Sequence, residues 1–283
     1  MNVRDIKTKA RSMIATNRSS IVMIFLFIGI MMVAINYLIE LIGSSIPFLI
    51  TILGFLVLPF SHGKVVTALK TVNERSDELS IEQDGLVGIK RYKDLFFTYF
   101  IKELLLLFLL MLVLLIIALV SKLIIGDAAF NSIISFIMQS GFETTDISTI
   151  LNDPKMVTVI ENIGNIFFWG SIVLIVVLIM YSLYFALTPY LLEKYNIKGA
   201  KAMSESARLM KGHKSTLVVL YLSYIGWYFL AVLIMTVVTM IIPVPIIVDV
   251  LTTIVGVYLF TAELEVCKAV FFEEIDLEDK NQI

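Results

Sequence analysis

Residues Gly199–Trp227 read GAKAMSESARLMKGHKSTLVVLYLSYIGW, and the two halves of this stretch decide the fold. The first half has the pattern of a basic amphipathic helix. Ala202, Leu209 and Met210 are apolar, and Met203, Ala207 and Met210 recur at helical spacing. Lys198, Lys201, Arg208, Lys211 and Lys214 supply positive charge, Ser204 and Ser206 are small, and Glu205 and Arg208 form an i,i+3 pair. Gly212 is a natural place for the helix to stop or bend. From Thr216 the polar character vanishes and an apolar run begins. Basic charge beside such a run marks a cytoplasmic membrane interface, where anionic lipid attracts each Lys or Arg by about 1 kcal/mol. Arg208, Lys211, His213 and Lys214 therefore have two open readings. They fix orientation only, or they bind lipid phosphate or a soluble partner.

Composition extends this to the whole chain. Of 283 residues, 59% are hydrophobic and 16% charged, against about 45–50% and about 25% in soluble domains. The mean hydropathy is +0.93. These values predict an all-α, polytopic transmembrane bundle forming a single membrane domain. The net charge of -2 gives no sign of nucleic-acid binding, because the basic residues flank apolar runs. A single cysteine, Cys267, excludes an intramolecular disulfide and a cysteine-based zinc site.

A span needs about 20 apolar residues, and six stretches qualify: Ile21–Ile42, Ile46–Val72, Phe100–Ile125, Ile166–Leu192, Thr216–Ile242 and Ile246–Phe272. The first is longer than a signal-peptide core and reads as an anchor. Pro47 and Pro59 interrupt the second, whose embedded part is expected to end near His62. Gly43–Ser45 and Pro243–Val244–Pro245 make tight hairpins. Before the first span, Val3, Ile6, Ala10, Met13 and Ile14 form an apolar face among basic residues, as in a helix lying in the membrane interface. A second amphipathic piece is expected at Ile81–Phe97. The acidic connection 126–165 contains the apolar run Phe130–Phe142 and is expected to lie on the opposite surface, with a break near Asn152–Pro154.

Only Lys122 and Lys155 of the 22 Lys and Arg residues fall on that opposite side. Such asymmetry places both termini in the cytoplasm and the 126–165 loop outside. Ala10–Val22 (ARSMIATNRSSIV) is similar to Ala207–Val218 (ARLMKGHKSTLV), and Lys90–Phe100 leads into span three in the same way. Three repeats of an amphipathic helix plus two spans, over 1–72, 81–192 and 199–272, are one explanation; chance likeness among amphipathic helices is the other.

The segment Ala207–Trp227, ARLMKGHKSTLVVLYLSYIGW, resembles the signature of the bacterial integral-membrane family called domain of unknown function 975. That signature is a Ser-Arg-x-Leu-Met-x-Gly-x-Lys segment followed by Leu-Ser-Phe-Ile-Gly-Trp. Here Met210, Gly212, His213, Lys214, Ser223, Gly226 and Trp227 match, while Ala207 replaces the Ser and Tyr224 the Phe. Tyr181-Ser182 and Pro189-Tyr190 are similar to further family features. The family's Ile-Pro-Gly in the fourth span is absent, with Leu174–Ile179 in its place, and its aromatic features after the Trp segment give way to Pro243-Val244-Pro245. The resemblance implies a cytoplasmic-membrane protein, similar in layout to the membrane domain attached to some glycerophosphodiester phosphodiesterases. It supplies no activity.

Catalytic constellations are missing from the sequence. With two histidines, His62 beside Ser61 and His213 in the basic helix, no nucleophile–base pair assembles. His62 reads as an interfacial residue rather than a base or metal ligand. There is no His-Glu-x-x-His and no phosphate-wrapping Gly-x-x-x-x-Gly-Lys-Ser/Thr. No cofactor or metal is called for. Ionisable residues within spans are functional candidates by default. Glu40, four residues beyond Asn36, and Asp249 lie near the outer ends of their spans, as does Lys122; a contact of Lys122 with Glu40 or Asp249 is an expectation. Glu263, Glu265 and Lys268 read as solvated ends. Trp227 falls near mid-bilayer and is expected to pack between helices with Tyr221, Ser223, Tyr224 and Gly226, or to line a lipid or substrate path.

Three functions remain. The first is a transporter or accessory subunit handling a membrane-associated ligand: a lipid, a peptide or a small amphiphile. The second is a non-catalytic scaffold recruiting partners through its basic cytoplasmic helices. The third, an intramembrane enzyme, has the least support.

Overall fold

The structure, a computed structural model, describes residues 2–43, 47–126, 131 and 154–281. Among them every regular element is helical. In order these are α1 (Val3–Thr16), α2 (Arg18–Gly43), α3 (Pro47–Val57), α4 (Gly63–Val72), α5 (Val87–Lys90), α6 (Tyr92–Ile125), α7 (Pro154–Tyr184), α8 (Thr188–Tyr195), α9 (Gly199–Leu209), α10 (Lys214–Leu222), α11 (Ile225–Ile241), α12 (Pro245–Gly256) and α13 (Ala262–Lys280). Six helical stretches are long and apolar enough to cross a membrane: Arg18–Gly43, Leu49–Val72, Tyr92–Leu123, Gly164–Tyr195, Lys214–Ile241 and Pro245–Lys280. These are the six expected, and the hairpin at Pro243–Pro245 forms; the turn expected at Gly43–Ser45 lies outside the described residues after Gly43. The run Phe130–Phe142 lies outside the described residues except for position 131. The latter part of the expected outward connection is helical, since α7 starts at Pro154.

The chain forms two compact units, Met1–Glu103 with Leu183–Ile283, and Leu104–Ser182. In the smaller unit, Gly170 of α7 faces Ile117 of α6, whose side chain would sit 3.5 Å from a Cβ at position 170. Outward-facing Phe108, Met111 and Trp169 are at least 63% exposed, a surface suited to lipid.

In the larger unit the core gathers where the basic residues are. Ile6, Ala10, Leu69, Leu191, Met210 and Phe271 belong to one buried cluster, and α13 runs through its middle, packed against α1, α4, α9 and α10. Here the sequence reading needs correcting. The apolar face of α1 is covered by protein rather than left to lipid: Ile6 and Ala10 are fully buried, against α13 and α4. The final helix supplies the reason. Rather than ending at Phe272 it continues to Lys280 with Phe271, Phe272 and Ile275 buried, and the apolar stripe of α1 covers it.

Four of the larger unit's spans are interrupted, and a segment from elsewhere closes each of three breaks. Pro59 turns the second span into a 3₁₀ segment, Leu58–His62, because it has no N–H to donate. Gly88 of α5 lies against that segment so closely that a Cβ would come within 2.3 Å of the Pro59 carbonyl oxygen. The fourth span breaks after Tyr184. There the Ser206 hydroxyl from α9 donates to the Tyr184 carbonyl at 2.9 Å and accepts from the Leu187 N–H at 3.1 Å. The fifth breaks at Ser223–Tyr224, between α10 and α11. Lys7 of α1 donates to the Ser223 hydroxyl at 3.3 Å and stands 4.1 Å from the Tyr224 ring centroid. The sixth contains a π-helical turn, Val257–Thr261.

Candidate ligand cavity

The π-helical turn borders a cavity of about 640 Å³ inside the larger unit. The volume falls within the range of small-molecule sites, about 300–1,000 Å³. Its walls come from α2 (Gly29, Met32, Val33, Asn36), α11 (Tyr228 to Thr239), α12 with the π-turn (Thr252 to Thr261), and Lys64 of α4. The close approach of α2 and α12 depends on Gly29: a Cβ there would meet the Thr253 methyl at 2.4 Å. Tyr228 packs on Phe260 with centroids 4.2 Å apart. Along α2 the lining extends from Gly29 to Asn36, roughly 10 Å at 1.5 Å per residue.

The polar groups of the wall are unequal. Thr236, Thr239, Thr252 and Thr253 donate their hydroxyls to carbonyls one turn back in their own helices, at 2.7–2.9 Å, as membrane-helix threonines commonly do. Only their acceptor lone pairs face outward. Lys64 is the single ionised side chain in the lining. Among the described residues no carboxylate lies within 4 Å of its ammonium; its charged neighbours Glu265 and Lys268 pair with each other at 2.6 Å.

Most of the sequence candidates lie elsewhere. Glu40 and Asp249 are exposed and outside the cavity lining, although Asn36, one turn before Glu40, is part of it. Lys122 belongs to the smaller unit. Arg208 is held by its own protein, with Nη2 2.6 Å from Glu205 and 2.7 Å from Asp279, and these carboxylates raise its pKa above the ordinary arginine value. His213 lies 3.8 Å from Glu278, and Lys214 sits over the Tyr184 ring at 3.2 Å. Lys211 is exposed. The acidic end of α13 thus neutralises Arg208, one of the basic residues read as facing lipid or a partner. Trp227 does not pack between helices; it is 41% exposed. Tyr224 takes the interior place, because its hydroxyl finds Glu263 at 2.7 Å and the Cys267 sulfur at 3.3 Å.

His62 is enclosed by protein. It is fully buried, with Nδ1 2.8 Å from the Tyr99 hydroxyl and Nε2 3.0 Å from Glu193. Glu193 also accepts from Arg91 at 2.7 Å, so the carboxylate at Nε2 and the Tyr99 hydroxyl at Nδ1 give both ring nitrogens a partner. Glu263, Glu265 and Lys268 are paired rather than solvated ends: Glu263 also accepts from Arg11 at 2.9 Å. No cluster of three or more metal-binding side chains occurs among the described residues.

Reasoning from the sequence missed Lys64, which it had counted only as flanking positive charge. The signal was present: an ionisable residue following Gly63 inside an apolar stretch, with threonines at Thr236/Thr239 and Thr252/Thr253 on the last hairpin.

One family model, described as protein of unknown function (DUF975), matches residues 1–278. No curated protein and no solved structure matches.

Proposed function

Because the chain belongs to the family described as protein of unknown function (DUF975), we propose from its own geometry that it handles a membrane-associated ligand, as a transporter or as the accessory subunit of one. In this reading it is a multi-pass protein of the cytoplasmic membrane with both termini inside the cell. The observation that carries the reading is the 640 Å³ cavity with its mixed wall of threonine, asparagine, lysine and apolar side chains. A wall with a few placed polar groups on an apolar background is what ligand sites present. The reading is non-enzymatic; it is supported by the occupation of both ring nitrogens of His62, the most buried candidate base.

The test is native mass spectrometry of the purified protein, with Val232→Trp as the variant that fills the cavity. The wild type is expected to retain an amphiphile that the variant loses. Identical spectra with nothing bound would reject the proposal.

A second reading, a non-catalytic scaffold acting through basic cytoplasmic helices, keeps support from Lys201 and Lys211. Both are exposed and make no ion pair among the described residues. Membrane lipids are partners in either reading.

A further inference from the structure

We propose that the ligand is an anionic amphiphile, its acidic head group held by Lys64 and its hydrocarbon lying along Met32, Val33, Val232 and Met235. This rests on the cavity being a ligand site, as argued above.

Charge comes first. An ammonium partly withdrawn from water is costly without a counter-ion. Lys64 has none within 4 Å among the described residues, and Glu265, the nearest source of one, pairs with Lys268 at 2.6 Å. An incoming acidic group supplies the missing partner in a charge-assisted hydrogen bond. A cationic head group meets repulsion at the same place.

Hydrogen bonding then locates the head group. The hydroxyl protons of Thr236, Thr239, Thr252 and Thr253 are committed to their own helices. An anion needs donors, and those threonines have none to offer. Asn36, Tyr228 and Thr261 can offer neutral donors, but Lys64 is the charged donor of the lining, so the acidic group belongs at that end and the chain along the apolar wall.

The cavity's 640 Å³ lies in the range that holds a small molecule, and a single-chain amphiphile fits. The π-helical turn at Val257–Thr261 points to the same place: such insertions break regular helical geometry and recur at functional sites, and this one contributes Val257, Phe260 and Thr261 to the wall.

The test uses three amphiphiles with one twelve-carbon chain and different heads: dodecyl phosphate, dodecylphosphocholine and dodecyltrimethylammonium. Each is titrated into the purified full chain in a maltoside detergent, and binding is read by thermal shift and native mass spectrometry. Dodecyl phosphate is expected to bind at least about tenfold more tightly than the zwitterion, the size of one charge-assisted contact, and the cation least. Lys64→Gln should bring the phosphate down to the zwitterion's level, and Lys64→Arg should restore the preference. Equal binding of the three heads by the wild type overturns the inference even if Lys64→Gln does not fold, and so does an undiminished preference in Lys64→Gln. If all three bind equally and Val232→Trp abolishes binding, the cavity remains a ligand site and only the anionic assignment falls. If none binds, both fall.

Discussion

His62 and Tyr190 are both buried in the same core and make opposite predictions. The ring of His62 is satisfied on both nitrogens, so Tyr99→Phe strands a buried imidazole nitrogen and is expected to cost about 1–3 kcal/mol. The Tyr190 hydroxyl is buried with no hydrogen-bond partner among the described residues, while its ring stacks on Phe272 at 5.3 Å. Tyr190→Phe should therefore leave stability unchanged or raise it. Thermal unfolding of the two variants in detergent decides the matter: a lower midpoint for Tyr190→Phe than for Tyr99→Phe would contradict the assignment. Exposed pairs behave differently. The Arg208 side chain is half exposed beside Asp279, and Asp279→Asn is expected to cost less than about 1 kcal/mol.

Among elements, the recurring device is a broken span held by a segment outside the spans. Ser206 joins α9 to the break between α7 and α8, Lys7 joins α1 to the break between α10 and α11, and Gly88 admits α5 against Leu58–His62. Ser206 gives freed backbone groups a partner in surroundings with little water, Lys7 reaches the Ser223 hydroxyl and the Tyr224 ring, and Gly88 allows the backbones to pack closely. Glycine substitutions test the packing directly. Gly88→Ala puts a methyl against the backbone of Pro59 and Phe60, atoms that cannot rotate away, and should destabilise by about 1–3 kcal/mol. Gly54→Ala in α3 meets nothing within 4 Å among the described residues, and its unfolding midpoint should stay the same or rise slightly. Equal loss in the two variants would argue against the close approach of α5.

At the scale of the molecule, the buried apolar cluster of the larger unit joins α1 and α9, which lie outside the spans, to stretches of the spans themselves, α13 among them. Removing residues 2–17 would uncover the apolar surface of α13 that Ile6 and Ala10 cover, and α1 alone carries three buried residues, Ile6, Ala10 and Ile14. Truncation is expected to lower yield and the unfolding midpoint sharply, whereas removal of a helix that merely rested on lipid would leave both nearly unchanged. Orientation is testable in the same chain. The native Cys267 is buried, so new cysteines report cleanly. Gly126→Cys should react with an impermeant maleimide in intact cells and Lys280→Cys only after lysis; the reverse pattern would invert the proposed topology.

Fold class and spans were legible from residue order alone, because covering some 30 Å of hydrocarbon demands about 20 apolar residues in a row. The helix-ending role of Gly212 and the hairpin at Pro243–Pro245 were legible too, since both follow from local backbone chemistry. The reach of α13 to Lys280, the burial of α1 and the cavity beside Lys64 were not. Each depends on which apolar stripe meets which, and the stripe of α1 suits lipid and Phe271 equally well until the helices are placed. Lys64 read as one more flanking cation because its distance from every carboxylate is a property of the packed unit. Glu265 and Lys268 pair locally, three residues apart on one helix, whereas Arg208 meets Asp279 across two elements far apart in the chain, a proximity that only the tertiary structure decides.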